Sequence, residues 1–336
     1  MNFRTSVLFI ILLWLSVTGV KAQGTTENVA SAANQPGTKS TATSMSKPPS
    51  HDSDWTKTWS VLVTLNTSFN SNLEHDPAPV RAAGIAPSIV AGYQVRSKRH
   101  RARFIYGLGG SRYTRSTDLN RIGNYFGASY RFTLGRWSAE TEGEVILKGT
   151  NDDRETNDQY IATQKIGYRF DSKTRANIYY AYRLKRFIPA DADRNSVNPM
   201  YGFKFSRQFG QKADWDIGFR YDENRAQNPR QNYVRSTYDT SFKYKLTKKD
   251  VLKTGFSYKP RLYSRTLKVG DLRLPRRDRK YAVDFNWRHN LFDRLGFDVG
   301  YAYEKQTSND LEKLYNDHQI NFSIFYHWGN GDTIEP

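Results

Sequence analysis

The side chains with the most chemical capacity in this sequence are basic, and they come in pairs two residues apart: Arg183 with Lys185, and Lys243 with Lys245. Two apart on a β-strand, both members of a pair leave the same face. Each pair would offer neighbouring cationic groups to one anion, and on a wet face would raise the local anion concentration. The same face carries Lys165, Arg169, Arg175, Lys204, Arg220, Lys259, Arg261 and Arg288, with Arg103, Arg131 and Lys253 beside them. Its acids are Glu140, Glu142, Glu144, Asp216, Asp222, Asp239, Asp284, Asp298 and Glu304. Two chemistries fit this mixture. One is a wet passage that concentrates anions; the other is a wall braced by ion pairs across strands. The three glutamates of 138–148 read as partners for basic neighbours.

No catalytic set accompanies these charges. The six histidines are 51, 75, 100, 289, 318 and 327, and none stands in a metal-binding or triad-like spacing. H-E-x-x-H, G-x-S-x-G and P-loop motifs are missing. Gly107-Leu-Gly-Gly110 lies in a strand pattern with no helix after it. The chain has no cysteine, which excludes a disulfide scaffold, thiolate metal sites, iron–sulfur clusters and cysteine catalysis. A non-enzymatic protein without metal or cofactor is expected, and a hydrolase is the least supported alternative.

The elements that position the charges have a period of two. In Trp137–Lys148, one side carries Trp137, Ala139, Thr141, Gly143, Val145 and Leu147, and the other Ser138, Glu140, Glu142, Glu144, Ile146 and Lys148. A helix would scatter those acids, whereas a strand aligns them. The pattern predicts fourteen strands, near 59–69, 84–95, 102–112, 123–134, 137–149, 159–170, 175–187, 200–209, 214–222, 233–246, 251–263, 280–289, 295–305 and 318–328. Pro87 is awkward in the second, because proline avoids central ladders. Short turns such as Leu134–Arg136 and Gly210–Ala213 alternate with longer polar loops at 150–158, 188–199, 223–232, 264–279 and 306–317. A soluble sandwich has no reason to gather every long loop at one end. A closed antiparallel transmembrane β-barrel does, with an apolar band outside and aromatic girdles such as Trp137, Tyr168, Phe170, Trp215 and Trp328. Its 22 Tyr and 19 Phe, with a mean hydropathy of −0.75, suit a wall with one apolar and one wet face.

Residues 1–22 read as a secretory signal: Arg4, an apolar stretch from Val7 to Val17, and Val20-Lys21-Ala22 as the exit site. Residues 23–54 are a Ser/Thr/Asn/Gly/Pro-rich leader unable to bury a core. The barrel is expected over 55–328 and a short tail over 329–336. This layout resembles Gram-negative outer-membrane β-barrels, which implies periplasmic termini, outer-membrane lipid around the wall and folding by the barrel-assembly machinery. Trp328 fits the aromatic end such chains present, although eight residues follow it. A narrower resemblance covers 275–328: Pro275-Arg-Arg-Asp-Arg-Lys-Tyr281, Leu295-Gly-Phe297 and Thr307–Tyr315 look like the last strands of surface lipoprotein assembly modifiers. It implies a fourteen-stranded barrel that helps deliver lipoproteins to the cell surface; that family's periplasmic helical-repeat domain has no counterpart here.

With 51 Lys and Arg against 33 Asp and Glu, the formal charge is +18. A secretory signal makes nucleic acid an unsuitable partner for that charge. The expectation is a porin-like channel with a basic lumen for small anionic solutes such as acidic saccharides. The alternative is a secretion or assembly barrel that moves a surface lipoprotein or polysaccharide, and a plugged structural barrel is the third reading. Arg273, Arg276, Arg277, Arg279 and Lys280 fall in the loop 264–279 and its edge. They would meet lipopolysaccharide phosphates or an acidic substrate, or simply be solvated. Ser97–Arg103 is a second basic run, at a short turn.

Overall fold

The computed structural model describes residues 55–116, 119–150, 156–269 and 272–330. The expected signal peptide, the leader to residue 54 and the last six residues of the tail lie outside them. Fourteen antiparallel strands follow one another: β1 (Thr56–Asn70), β2 (Ala82–Arg96), β3 (His100–Tyr113), β4 (Arg121–Leu134), β5 (Trp137–Thr150), β6 (Thr156–Arg169), β7 (Thr174–Arg186), β8 (Ser196–Phe209), β9 (Ala213–Ala226), β10 (Tyr233–Lys245), β11 (Asp250–Val269), β12 (Leu272–Asn290), β13 (Leu295–Ser308) and β14 (Tyr315–Gly329). Each pairs with its sequence neighbours, and β1 pairs with β14 from Ser60↔Gly329 to Asn70↔Gln319, so the sheet closes into a barrel. Closure leaves no unpaired edge, which a sheet in hydrocarbon requires. The seam is locked at one end by Asn330, whose Oδ1 accepts from the Trp59 amide at 2.9 Å.

Side-chain alternation sets what faces where. Outward positions hold large apolar residues open to the surroundings, among them Ile122 at 67% and Ile178 at 58% exposure. A band of this size on every strand suits lipid and not water. The six tryptophans among the described residues (55, 59, 137, 215, 287 and 328) all lie at the short-turn end. Their partners include Trp59 against Trp328 at 5.6 Å and Trp137 against Tyr168 at 4.7 Å. Tyrosines dominate towards the other end, as in Tyr180–Tyr201 and Tyr258–Tyr281. These are the two girdles expected of a barrel that crosses a bilayer.

Short connections of two to four residues join β2 to β3 and then every second pair through β12–β13. Gly135 and Gly210 take φ of +59° and +62° in two of them, a conformation that other residues adopt at a steric cost. Pro87 is accommodated in β2. It pairs with Leu65 of β1, while the ladder to β3 passes from Ile85↔Arg112 to Ser88↔Gly109 without a bonded pair between. A bulge in β5 lies between Ile146 and Gly149, where Lys148 has φ of +54°.

One expectation is corrected. The expected loop 264–279 is strand over 264–269 and 272–279. Thr266↔Pro275 and Val269↔Leu272 continue the β11–β12 ladder past a bulge that begins after Leu262. The ladder carries this hairpin beyond the neighbouring strands despite the density of charge. Pro275 is tolerated because β12 pairs with β13 only from Asp278 onward, so its other side is an edge. The cluster Arg273, Arg276, Arg277, Arg279 and Lys280 therefore stands on a strand and splits between its two faces.

Candidate functional site

The inward face is where the chain places its charge, and it divides along the barrel axis. Towards the short turns it encloses a cavity of about 1030 Å³. Strands β3–β9 and the β2–β3 and β4–β5 turns line it with twelve Arg and Lys side chains against three Glu. Seven of the expected residues meet there: Arg131, Lys165, Arg169, Arg175, Arg183, Lys204 and Arg220. Glycines keep parts of the wall low. Any β-carbon at Gly202 would collide with the Tyr179 ring, which lies across it, and one at Gly218 would collide with the Asp239 carboxylate.

Part of this charge is braced. Glu140 takes Arg131 at 2.6 Å and Arg101 at 3.4 Å, and Glu142 takes Lys165. Two of the three glutamates thus partner basic neighbours as expected. Lys204 lies 3.2 Å from Asp216 and Arg220 lies 3.6 Å from Asp222. Arg169 reaches the Gly135 carbonyl at 3.2 Å from the rim, and Arg175 is exposed there. Arg183 forms the deep end of the cavity, and its Nε has no hydrogen-bond partner. Beyond the cavity but still at the short-turn end, Lys243 and Lys245 are exposed, as are Lys253 and, further up the wall, Asp239 and Asp284. Arg288 grips Asp298 with two bonds of 2.8 and 3.1 Å and stacks on Phe325, 4.8 Å from its ring centre.

Towards the long loops the inward face is packed. Lys185, Asn198, Asp222, Arg235, Arg261, Asp278, Lys280 and Asp317 are all buried. Arg235 donates to Asp222 at 2.9 Å, and Lys280 lies 2.6 Å from Glu304. Lys185 contacts Asn224 Oδ1 at 3.4 Å and the Tyr233 hydroxyl at 3.5 Å. Arg261 lies 4.6 Å above the Tyr233 ring and donates to the Tyr263 hydroxyl at 2.7 Å. Arg276 covers the other tyrosine at 4.2 Å and is held by Asp278. Charges taken out of water survive only when paired or set over aromatic faces, and this layer uses both devices. Lys259 lies between the two zones, half-buried on the inward face of β11.

The connection 71–81 completes the packed layer. Leu73 has no exposed surface, and Asn72 bonds to Asp317 and to the Asn316 carbonyl. The His75 ring stacks on Tyr315 at 4.3 Å, with Nε2 at 3.5 Å from Glu304 and 3.7 Å from Asp317. His75 stands in a polar connection with no motif around it; the available signals were its apolar residues Leu73 and Val80. The basic run Ser97–Arg103 was visible, but that its arginines continue the cavity wall was not. Of the five-residue cluster on β12, Arg276 and Lys280 point into the packed layer, while Arg273, Arg277 and Arg279 are exposed.

No protein-family model matches the chain, and no curated protein matches its sequence. Solved structures do resemble it. The barrel is similar to an anion-selective porin from Comamonas acidovorans, with 9% identity over 82% of this chain and 100% of that one and a TM-score of 0.51. It is also similar to in-vitro folded OmpT, an outer membrane protein of Vibrio cholerae, in a trimer form, with 11% identity over 81% and 99% of the two chains and a TM-score of 0.50. Identities this low speak for the fold alone. That fold, with its apolar exterior, double aromatic girdle and charged interior, is that of an outer-membrane β-barrel.

Proposed function

We propose that the chain is a gated outer-membrane conduit for small anionic solutes, acidic saccharides among them, with its basic cavity open to the periplasm. One observation carries this reading: a cavity of about 1030 Å³ lined by twelve cationic side chains and three carboxylates. Walls of low dielectric with an excess of one sign concentrate the opposite ion. The packed layer at the other end serves as the gate, and the connection 71–81 is its movable part, because loops supply the low-stability elements that open. The exposed Arg273, Arg277 and Arg279 on the projecting hairpin face lipopolysaccharide phosphates, for which guanidinium groups are suited.

Reversal potentials in a salt gradient across a planar bilayer test this. Open steps with anion preference, weaker at high salt, are expected, since screening acts over about 10 Å at 0.1 M. Cation preference would overturn the reading. The packed layer favours a second reading, an accessory barrel that helps a lipoprotein or polysaccharide to the surface without conducting solute. Complete electrical silence, including after loss of the 71–81 connection, would favour it over the conduit.

A further inference from the structure

The outer wall carries charge of its own near the long loops, on one side of the barrel. Arg277 and Arg279 stand two apart on β12, leave its outward face with Tyr281, and are exposed. Lys305 of β13 pairs with Tyr281 on the same face and is exposed too, and Arg279 pairs with Thr307. Lys305 is therefore a diagonal neighbour of Arg279, at a spacing of about 7–8 Å, and the three cations form one patch. Among the described residues none of the three pairs with a carboxylate, and between the tyrosine girdle and the long loops no outward position of β10–β14 holds Asp or Glu. The outward face of β9 differs: Arg225 is held there by Glu223 at 2.8 Å. Directly below the patch, Tyr281 stacks on Tyr258 at 4.9 Å. The girdle marks the membrane interface, so these cations stand at headgroup level.

We infer that this patch docks the headgroup of an outer-leaflet glycolipid that carries more than one phosphate, with Arg277, Arg279 and Lys305 on the phosphates and the acyl chains descending over Tyr258 and Tyr281. Depth and charge together choose this occupant. The outward face at this height is covered by lipid headgroups, so a soluble acidic protein has no approach to it. Three cations without an acid among them call for anionic groups, and the forked N–H groups of arginine match phosphate oxygens bidentately. The inference deepens the lipopolysaccharide contact proposed above, adds Lys305 and the tyrosine shelf to it, and rests on that reading for the orientation of the barrel.

Titration of purified lipopolysaccharide against the full folded barrel in detergent, read as lipid retained per barrel after gel filtration, tests the patch without conductance. Saturable retention is expected. Arg277→Gln, Arg279→Gln and Lys305→Gln combined should weaken it about a hundredfold, at about fivefold for each basic group near a lipid surface. Arg225→Gln, whose charge is already answered by Glu223, should leave it within about twofold. Dephosphorylated lipopolysaccharide should bind the parent as weakly as the intact lipid binds the triple variant. Phosphatidylglycerol, with one phosphate, should bind about fivefold or more weakly, and equimolar inorganic phosphate should displace nothing. Heat-modifiable gel mobility shows which variants are folded, and a folded Arg279→Gln barrel alone decides the matter by its fivefold loss. Unchanged retention in either folded variant, or equal retention of the dephosphorylated lipid, would overturn the patch. Equal binding of phosphatidylglycerol, or displacement by inorganic phosphate, would overturn the glycolipid as its occupant. Anion-selective conductance without lipid retention sinks the patch and spares the conduit. Retained lipid on a silent barrel does the reverse.

Discussion

The two ends of the lumen are built from the same residue types and reach opposite states. At the long-loop end, Arg235, Arg261 and Lys280 are buried, and each has an acid or a tyrosine in contact. At the short-turn end, Lys243, Lys245 and Lys253 stand exposed, and a cavity remains. The difference is one of filling. The first end receives the 71–81 connection and tyrosines 233, 263 and 315; the second has turns too short to fold inward. Charge in a barrel interior is thus either structure or function according to what lies above it, and the strand pattern is the same in both cases.

Removing a carboxylate from the packed layer should break this contrast most severely. Asp222→Ala leaves Arg235 buried beside Arg220 without its acceptor. A cost of about 3–5 kcal/mol is expected for a buried pair broken on one side. Urea unfolding of the barrel in detergent reads it; a change below about 1 kcal/mol would mean that the layer is wet.

The connection 71–81 comes next. Leu73→Ala removes a fully buried side chain, at roughly 2–5 kcal/mol of docking. When opening is fast, protease susceptibility follows the open population, so cleavage within 71–81 should rise by about thirtyfold or more. Conductance should rise in parallel. Cleavage at the parent rate would show that Leu73 does not hold the loop.

Charge reversal at the exposed end sharpens the comparison from the other side. Lys243→Glu with Lys245→Glu should change stability by no more than about 0.5 kcal/mol per site, as solvated substitutions do, yet move the reversal potential towards cations. The same reversal at Arg183 and Lys185 should impair folding, since Lys185 sits against Asn224 and Tyr233. Equal effects from the two doubles would erase the distinction between the halves.

The fold was legible from the sequence because a period of two cannot be produced by any other element. Trp137–Lys148 sorts its acids from its apolar residues, and the strand points them to opposite faces. The two ends of the lumen were not legible. Arg183 and Lys185 look like Lys243 and Lys245 in sequence, and only the depth of each along its strand and the inward connection at Leu73 and His75 separate them. The strand nature of 264–269 and 272–279 was hidden because charged residues and Pro275 dominate the composition, and the pairing that makes them strands is between these two stretches themselves. Half of the arginine and lysine set around the cavity belongs to turns and rims, where alternation ends and parity no longer says which way a side chain turns.

The smallest expected effect lies outside both halves, in the turn between β6 and β7. The Asp171 carboxyl is held below its ordinary value of 3.8, chiefly by the Lys173 amide, which donates to Oδ1 at 2.6 Å. Its folded-state proton affinity is therefore lower than that of the unfolded chain. Stabilisation by this turn is fully present above the ordinary carboxylate range and fades as pH falls through the lowered value. Asp171 is open to solvent, so the effect is small. Asp171→Asn should melt slightly below the parent at pH 6, with the gap smallest at pH 3, nearest the lowered value. Melting curves of the two proteins at pH 3, 4.5 and 6 measure this, with the gap widening as pH rises. A gap that is constant with pH would place the contribution of Asp171 in its shape as a turn residue and not in its charge.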